Sequence, residues 1–411
     1  MIRSMRRIRI LPVLAAAAML AAVLAAGCGK EPRTAVGRLD TPEHHTLRGH
    51  DFIDKGDWAE AGRSFDAAIS LGKDYGPAYA GKAVVVAHEA DNHTVSADQR
   101  EDIFDRAEKL LNQAHQNAKN DDQERAAYTA TIRVQRLTKA SDGWLNDAQK
   151  AYELAVKVDS RVPDPDPHFF MARAYRDAFQ LQQSQDLYRK VLSLNSGRSQ
   201  MADSELALLQ KIIRAEPGSR HGRTVAFDSS ITRADIAALF LEELRLDRLY
   251  LRGGQQQADT RFRPPAGQQQ FQADRVVKAP EATDVDTHPL AGDIREVIQL
   301  RVAGLQPDAS HLFHPNATVV RGEYAMMVED ILVKVTGEQG LRTRFIGQAS
   351  PFRDVRSDVP WFNAIQTVTS RSLMEPADKV NGIFKPGEPI TGADALLVIR
   401  LLRDELRSYV R

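Results

Sequence analysis

The sequence predicts a mainly α-helical protein in two parts, a solenoid of helical hairpins followed by a second helical domain of three related units. From about residue 42 to 195, small and bulky side chains recur at offsets of four and seven, which places them on one face of a helix. Beyond residue 199 a different register repeats three times, with shorter helical stretches and more Pro and Gly. A third feature precedes both, an uncharged run near the N-terminus.

Arg3, Arg6, Arg7 and Arg9 form a cationic start, and Ile10 to Ala26 carries no charge and is rich in Ala and Leu. That length suits the core of an export signal and is short for a stable membrane span. It ends at Leu24-Ala25-Ala26-Gly27-Cys28. Small residues before a cysteine resemble the lipobox of bacterial lipoproteins, although Ala25 stands where that family usually has Leu. The resemblance implies a signal peptide over 1–27, cleavage before Cys28, and a diacylglycerol on its thiol, with 28–41 as a linker. An uncleaved anchor helix and ordinary secretory cleavage are the alternatives. Cys28 is the only cysteine, so it has no internal disulfide partner, and a free thiol is a liability in an oxidising compartment. Each buried methylene contributes roughly 0.8 kcal/mol, so several acyl chains hold a protein on a bilayer. Gly29 follows the cysteine, where the family's inner-membrane retention signal is usually Asp; the expected location is the periplasmic face of the outer membrane.

The 411 residues suffice for two or three domains beyond the signal. Lys plus Arg and Asp plus Glu are equal at 55 each, which argues against nucleic acid or a general polyanion as the main partner. No second apolar span follows, so the body is expected to be soluble.

In the first half, Ala61, Phe65 and Ala68 recur as Ala107, Leu111 and Ala114, as Ala148, Tyr152 and Ala155, and more loosely as Ser184, Tyr188 and Val191. The small residue lets a neighbouring helix approach and the larger one fills the space beside it. Phe52 and Gly49 stand nine and twelve residues before Ala61, as Tyr175 and Ala172 do before Ser184, and mark a partner helix. Gly56-Asp57-Trp58 supplies the first intervening turn. The pattern resembles the tetratricopeptide repeat, with about four units over 42–197. Loops at 91–97 and 138–143 break the period and the usual terminal Pro is mostly missing, so generic helical hairpins fit nearly as well. Stacked pairs of this kind form a superhelix whose concave face commonly holds a peptide or helix, which implies an unidentified protein partner. The quoted residues themselves read as core.

In the second half, Ile231-Thr232-Arg233-Ala234-Asp235, Val319-Val320-Arg321-Gly322-Glu323 and Ile390-Thr391-Gly392-Ala393-Asp394 each open a helix. Val225, Phe313 and Phe384 stand eight residues before Arg233, Arg321 and Gly392, and Pro315 and Pro386 follow the two Phe by two. Leu290 and Trp361 each precede their Phe by 23 residues, with Ile294 and Ile365 four further on. Agreement in several spacings resembles the S-layer homology domain. The third unit, 350–408, is clearest, with Phe352-Arg353-Asp354-Val355, Pro360-Trp361-Phe362, Gly382-Ile383-Phe384-Lys385-Pro386 and Ile390-Thr391. The second, 281–337, keeps Asp284-Val285 and Phe313-His314-Pro315 but has Leu290 for the Trp. The first, 198–250, lacks the front signature, for which a helix at about 202–214 is the expected substitute. A Gln/Gly/Pro-rich linker, 251–280, separates the first two.

Thr232 with Asp235, and Thr391 with Asp394, have the spacing of a helix N-cap whose carboxylate also suits the helix dipole. Arg233 and Arg321 are not explained that way, since a first-turn cation opposes the dipole. A cation beside free N–H groups instead makes an anion site. The family resemblance implies three units around a pseudo-threefold axis, with the motif arginine lining grooves that bind wall-linked polysaccharide. Arg233, Arg321 and Trp361 are therefore the candidate glycan contacts, against the plainer alternatives of an Arg–carboxylate pair and a core Trp. Gly392 removes the arginine from one groove.

No catalytic constellation rises above noise. His311 and His314 have no obvious third ligand, His44-His45 reads as a solvated helix start, and acidic pairs such as Asp121-Asp122 read as loop or helix-start charges. Phosphate loops, nucleophile elbows and cysteine nucleophiles are missing, although glycan-cleaving carboxylates need carry no motif. The expectation is a binding protein with no catalytic residues, cofactor or metal. It tethers a membrane to peptidoglycan or a wall-linked polysaccharide and scaffolds a protein. The alternative is an accessory lipoprotein of a secretion or polysaccharide-export machine.

Overall fold

A computed structural model describes residues 33–91, 94–158, 163–252 and 280–409. Cys28 and the signal-like run lie outside them, as does most of the Gln/Gly/Pro-rich linker. The described chain is mainly helical, with isolated β-bridges and no sheet. Its described residues divide into two compact units, one up to Ala174 and one from Tyr175 on. The expected repeat array, by contrast, runs to 197.

The first unit contains α1 (Pro42–Asp54), α2 (Trp58–Leu71), α3 (Gly76–His88), α4 (Ala97–Gln116), α5 (Asp121–Thr138) and α6 (Trp144–Lys157), and α7 (Asp166–Asp177) begins in it. Local signals set the helix starts. Thr41, Asp57 and Asn120 accept N–H bonds from His44, Glu60 and Gln123, and Ser96 forms a full capping box with Gln99. Consecutive helices pair as hairpins, α1 with α2, α3 with α4, and α5 with α6. The hairpins stack through α2–α3 and α4–α5, and through α1–α3 and α3–α5. This is a solenoid, as the period predicts.

The repeating face is the core. Of the twelve residues in the Ala/aromatic pattern all but Tyr152 are buried, and Ala61, Phe65, Ala68, Ala107 and Ala114 have no exposed surface. Phe65 explains why small partners are needed. Its ring fills the space of two missing side chains, since a Cβ at Gly49 of α1 would lie 2.6 Å from it, and one at Gly81 of α3, 2.1 Å. One ring thus locks three helices.

The second unit continues with α8 (Leu181–Ser193), which carries the fully buried Ser184, Tyr188 and Val191, and α9 (Ser199–Ala215). Then come α10 (Arg220–Val225), α11 (Arg233–Glu242), α12 (Leu246–Arg252), α13 (Ala291–Gln299), α14 (Arg321–Thr336), α15 (Phe362–Ser370) and α16 (Gly392–Leu406). Each related unit contributes a front helix (α9, α13 or α15) and a back helix (α11, α14 or α16). The front helix of one packs on the back helix of the preceding one, α13 on α11 and α15 on α14. The order closes on itself, because α9 packs on α16. Helix α9 thereby takes the place of the missing front signature. A single core from Ile212 to Leu406 runs through all three.

Candidate functional site

The centre of the second unit is set by the residue before each back-helix cap. The Ile231 N–H donates to the Ile390 carbonyl (3.3 Å), the Ile390 N–H to that of Val319 (2.9 Å), and the Val319 N–H to that of Ile231 (3.2 Å). Each residue donates once and accepts once, so three equivalent segments close a ring about a pseudo-threefold axis. All three side chains are at most 1% exposed, and burial makes the pairing of these backbone groups obligatory. Thr232 and Thr391 cap α11 and α16 by accepting from the Asp235 and Asp394 N–H groups (3.2 and 3.1 Å). Val320 has no hydroxyl, and only the reciprocal bond from its N–H to Glu323 (3.2 Å) remains.

Two aspartates shape the approach to the ring. Asp284 accepts the N–H groups of Phe313 (2.8 Å) and His314 (2.7 Å), and Asp354 those of Phe384 (2.9 Å) and Lys385 (2.6 Å). His314 and Lys385 are left-handed, with φ +57° and +61°, a conformation that costs roughly 1–2 kcal/mol in a residue with a Cβ. Two charge-assisted bonds offset that strain and turn each Phe inward, where it is fully buried. Burial alone would raise the Asp284 pKa, but these N–H groups hold it below the usual carboxylate range. The first related unit has no such clamp; there the buried Glu243 accepts Gly218 (3.2 Å) and Ser219 (2.7 Å) ahead of α10.

The arginines join one unit to the next. Arg233 donates through Nε to the Phe313 carbonyl (2.8 Å), and through its terminal nitrogens to Gly304 (2.5 Å) and Gln306 (3.2 Å), with its guanidinium 4.7 Å from the Phe313 ring centre. Arg321 repeats this one unit on, donating to Phe384 (3.0 Å) and Glu375 (2.7 Å) at 4.8 Å from the Phe384 ring. Several carbonyl dipoles and an aromatic face meet each cation, which answers the objection that the helix dipole raises. Arg321 is only 8% exposed and its remaining terminal nitrogen lies 3.8 Å from Asp394, whereas Arg233 is half-buried with all three of its nitrogens on carbonyls. Burial lowers the pKa of both, opposed by nearby carboxylates, Asp394 first for Arg321 and Glu323 first for Arg233.

The third interface is built differently. A Cβ at Gly392 would lie 1.7 Å from the Val225 carbonyl oxygen, and the Gly392 N–H donates to Asp228 (2.9 Å). Backbone fills the place that the arginine holds elsewhere. Lys211 of α9 closes the same side by pairing with Asp394 (2.6 Å).

Of the three candidate glycan residues, two are brought together. Trp361 is half-buried and lies over Gly322, next to Arg321; a Cβ there would lie 2.9 Å from the indole and 3.2 Å from the Pro386 carbonyl. Arg233 sits in the neighbouring interface, where an open depression is lined by Asp284, His314, Pro315, Asn316 and Ala317. Its backbone N–H donates to Ala317 (2.9 Å). His314 turns to Asp308 (2.9 Å), not to His311. Among the described residues no group of three His, Cys, Asp or Glu is placed to hold a metal. No helix among them is long and apolar enough to cross a membrane.

Residues 351–396 match the S-layer homology domain. The matched segment contains the Asp354 clamp, Trp361, Phe384, Pro386 and the Thr391 cap, within the expected third unit. S-layer homology domains associate with the cell envelope and generally bind wall polysaccharide or peptidoglycan. For the first two related units the likeness rests on their place in the ring. No curated protein matches the chain. The Asp clamps and the interlocking arginines stood in the sequence as motif letters, and the repeated β-branched position at Ile231, Val319 and Ile390 was the signal for the ring.

Proposed function

We propose that this chain is a non-enzymatic envelope tether. Cys28 carries the lipid that holds it on a membrane, on the periplasmic face of the outer membrane. The second compact unit binds peptidoglycan or a polysaccharide attached to it. The helical hairpins act as tetratricopeptide-type repeats that hold a protein partner. The observation that carries the reading is the S-layer homology match at 351–396, set in a closed ring of three related units.

The geometry ranks the clefts. The interface at Gly392 is filled by the Val225 backbone. At the second, Arg321 is buried and committed to carbonyls, with Trp361 beside it. The first sets the less buried Arg233, whose backbone N–H meets Ala317, beside the open depression at Asp284, His314 and Asn316. We assign the main glycan contact to this cleft, with Arg233 touching the glycan and Arg321 and Trp361 completing the neighbouring one.

Co-sedimentation of the full chain with purified sacculi tests the reading. Retention is expected, with a loss of roughly tenfold or more in the Arg233→Ala, Arg321→Ala double variant, greatest at low salt, where a charged contact is least screened. A full chain that stays in the supernatant while a proven wall binder sediments would sink the wall-binding half. Unchanged retention of a folded double variant would remove the arginines from the contact.

A further inference from the structure

The segment leading into α1 is an ordered turn. Asp40 gathers it, accepting from the Val36 N–H (2.8 Å) and from Arg33 (2.5 Å), with His45 Nε2 at 2.8 Å. The Asp40 N–H donates to Gly37 (3.0 Å), and the Arg33 N–H reaches the Ser70 carbonyl at the end of α2 (2.7 Å). The turn so fixed carries its apolar side chains outward, with Val36 86% and Leu39 69% exposed on either side of the exposed Arg38. Of the ten exposed large hydrophobics among the described residues, three (Val36, Leu39 and Leu47) fall within this turn and the helix that follows. Such clustering in one short stretch differs from the scattered exposed apolar residues of an ordinary surface. No acidic residue lies between Thr34 and Leu39, and the Asp40 charge is met by Arg33 and His45.

We propose that the Val36–Leu39 turn rests on the lipid bilayer, as a second contact beside the anchor. The inference rests on the reading of Cys28 as the acylated residue. Arg33 follows Cys28 by five positions, a reach of at most about 18 Å when fully extended, so an acylated Cys28 holds the turn close to the headgroups. Val36 and Leu39 enter the boundary between headgroups and acyl chains, and Arg38 pairs with lipid phosphate, the usual division of labour in an interfacial segment. Because Asp40 ties the turn to α1, the contact sets the direction in which the first hairpin leaves the membrane.

Quenching by lipids brominated in the acyl chain provides the test. The full chain is bound to phosphatidylethanolamine/phosphatidylglycerol vesicles in two ways: through its own acyl group, and in non-acylated protein through Cys28 coupled to a maleimide lipid. Val36→Trp is compared with Val380→Trp, both at strongly exposed positions (86% and 94%), after subtracting the three native tryptophans. At least twofold stronger quenching of the residue-36 reporter is expected in both arms, reduced by adding Arg38→Glu. Equal quenching at 36 and 380 on vesicle-bound protein would overturn the membrane contact. Failure of the natural protein to float with vesicles, with a Cys28 thiol open to alkylation, would instead overturn the lipid anchor. The maleimide arm would then still read the turn.

Discussion

The two compact units solve the same problem, burying short amphipathic helices, in opposite ways. In the first, each hairpin packs on its neighbours in an open line, and its stability is a sum of local interfaces such as the Gly49–Phe65–Gly81 contact. In the second, the line bends round and closes. The Ile231–Val319–Ile390 ring, the arginines reaching into the next turn, and the α9–α16 pairing make every interface depend on the other two. An open stack tolerates divergence at its ends, whereas a ring must replace any lost device with another. That is why Gly392, which lacks the arginine, is covered by the Val225 backbone.

The largest effect that sharpens this contrast is expected at Phe65. Phe65→Ala should cost about 3–5 kcal/mol, because a ring contacting three helices leaves a cavity that its glycines cannot fill. Thermal unfolding followed at both units should show loss in the first unit alone; a matching loss in the second would contradict the separation. Next comes Gly392→Ala, where a methyl must displace the Val225 carbonyl. About 1–3 kcal/mol of overpacking is expected, and chemical shifts should move at all three ring residues, since the closure is shared. Changes confined to Val225 would show that the interfaces act independently. Asp354→Ala removes the acceptor of two N–H groups and should cost about 2 kcal/mol or more, with amide exchange at Phe384 and Lys385 rising sharply. Thr391→Ala, a lost cap, should cost about 1 kcal/mol.

The smallest effect depends on pH. His221 Nε2 lies 3.1 Å from the Asp235 carboxylate, which raises the imidazole pKa above its ordinary 6.5 against burial, with Glu242 and Asp293 adding to the pull. A raised histidine pKa contributes stability that is complete below 6.5 and is lost as pH rises through the folded value. Stability of the second unit should therefore decline slightly as pH rises above neutral through the raised folded value. His221→Gln should flatten that slope, and an identical slope in the variant would remove His221 as its cause. Asp235 acts with the opposite sign. Burial would raise it, but His221 and Thr232 hold it low, so its contribution is lost only as pH falls through the acidic range.

What the sequence made legible follows from the range of each interaction. Helix periodicity, the Thr–Asp caps and the fixed spacings of the S-layer homology motif are local, and the helices, both caps and the matched domain stand where those signals put them. The partners of Arg233 were not legible, because the carbonyls it holds lie 71 to 80 residues away and any residue type supplies a carbonyl. Gly392 announced a missing arginine but not the backbone that takes its place. The role of Asp284 and Asp354 was hidden for a related reason: their acceptors' partners are N–H groups, which carry no side-chain signature. Cys28 lies outside the described residues, and its lipidation rests on the lipobox resemblance.

The tether reading is tested most directly by asking whether one molecule joins two surfaces. Fluorescent vesicles carrying the full acylated chain are mixed with purified sacculi and spun at a speed that pellets sacculi alone. The account predicts that vesicles pellet with sacculi only when the protein is present, and that the Arg233→Ala, Arg321→Ala variant leaves most of them in solution. Vesicles that stay in the supernatant, although the protein is bound to them and folded, would contradict it.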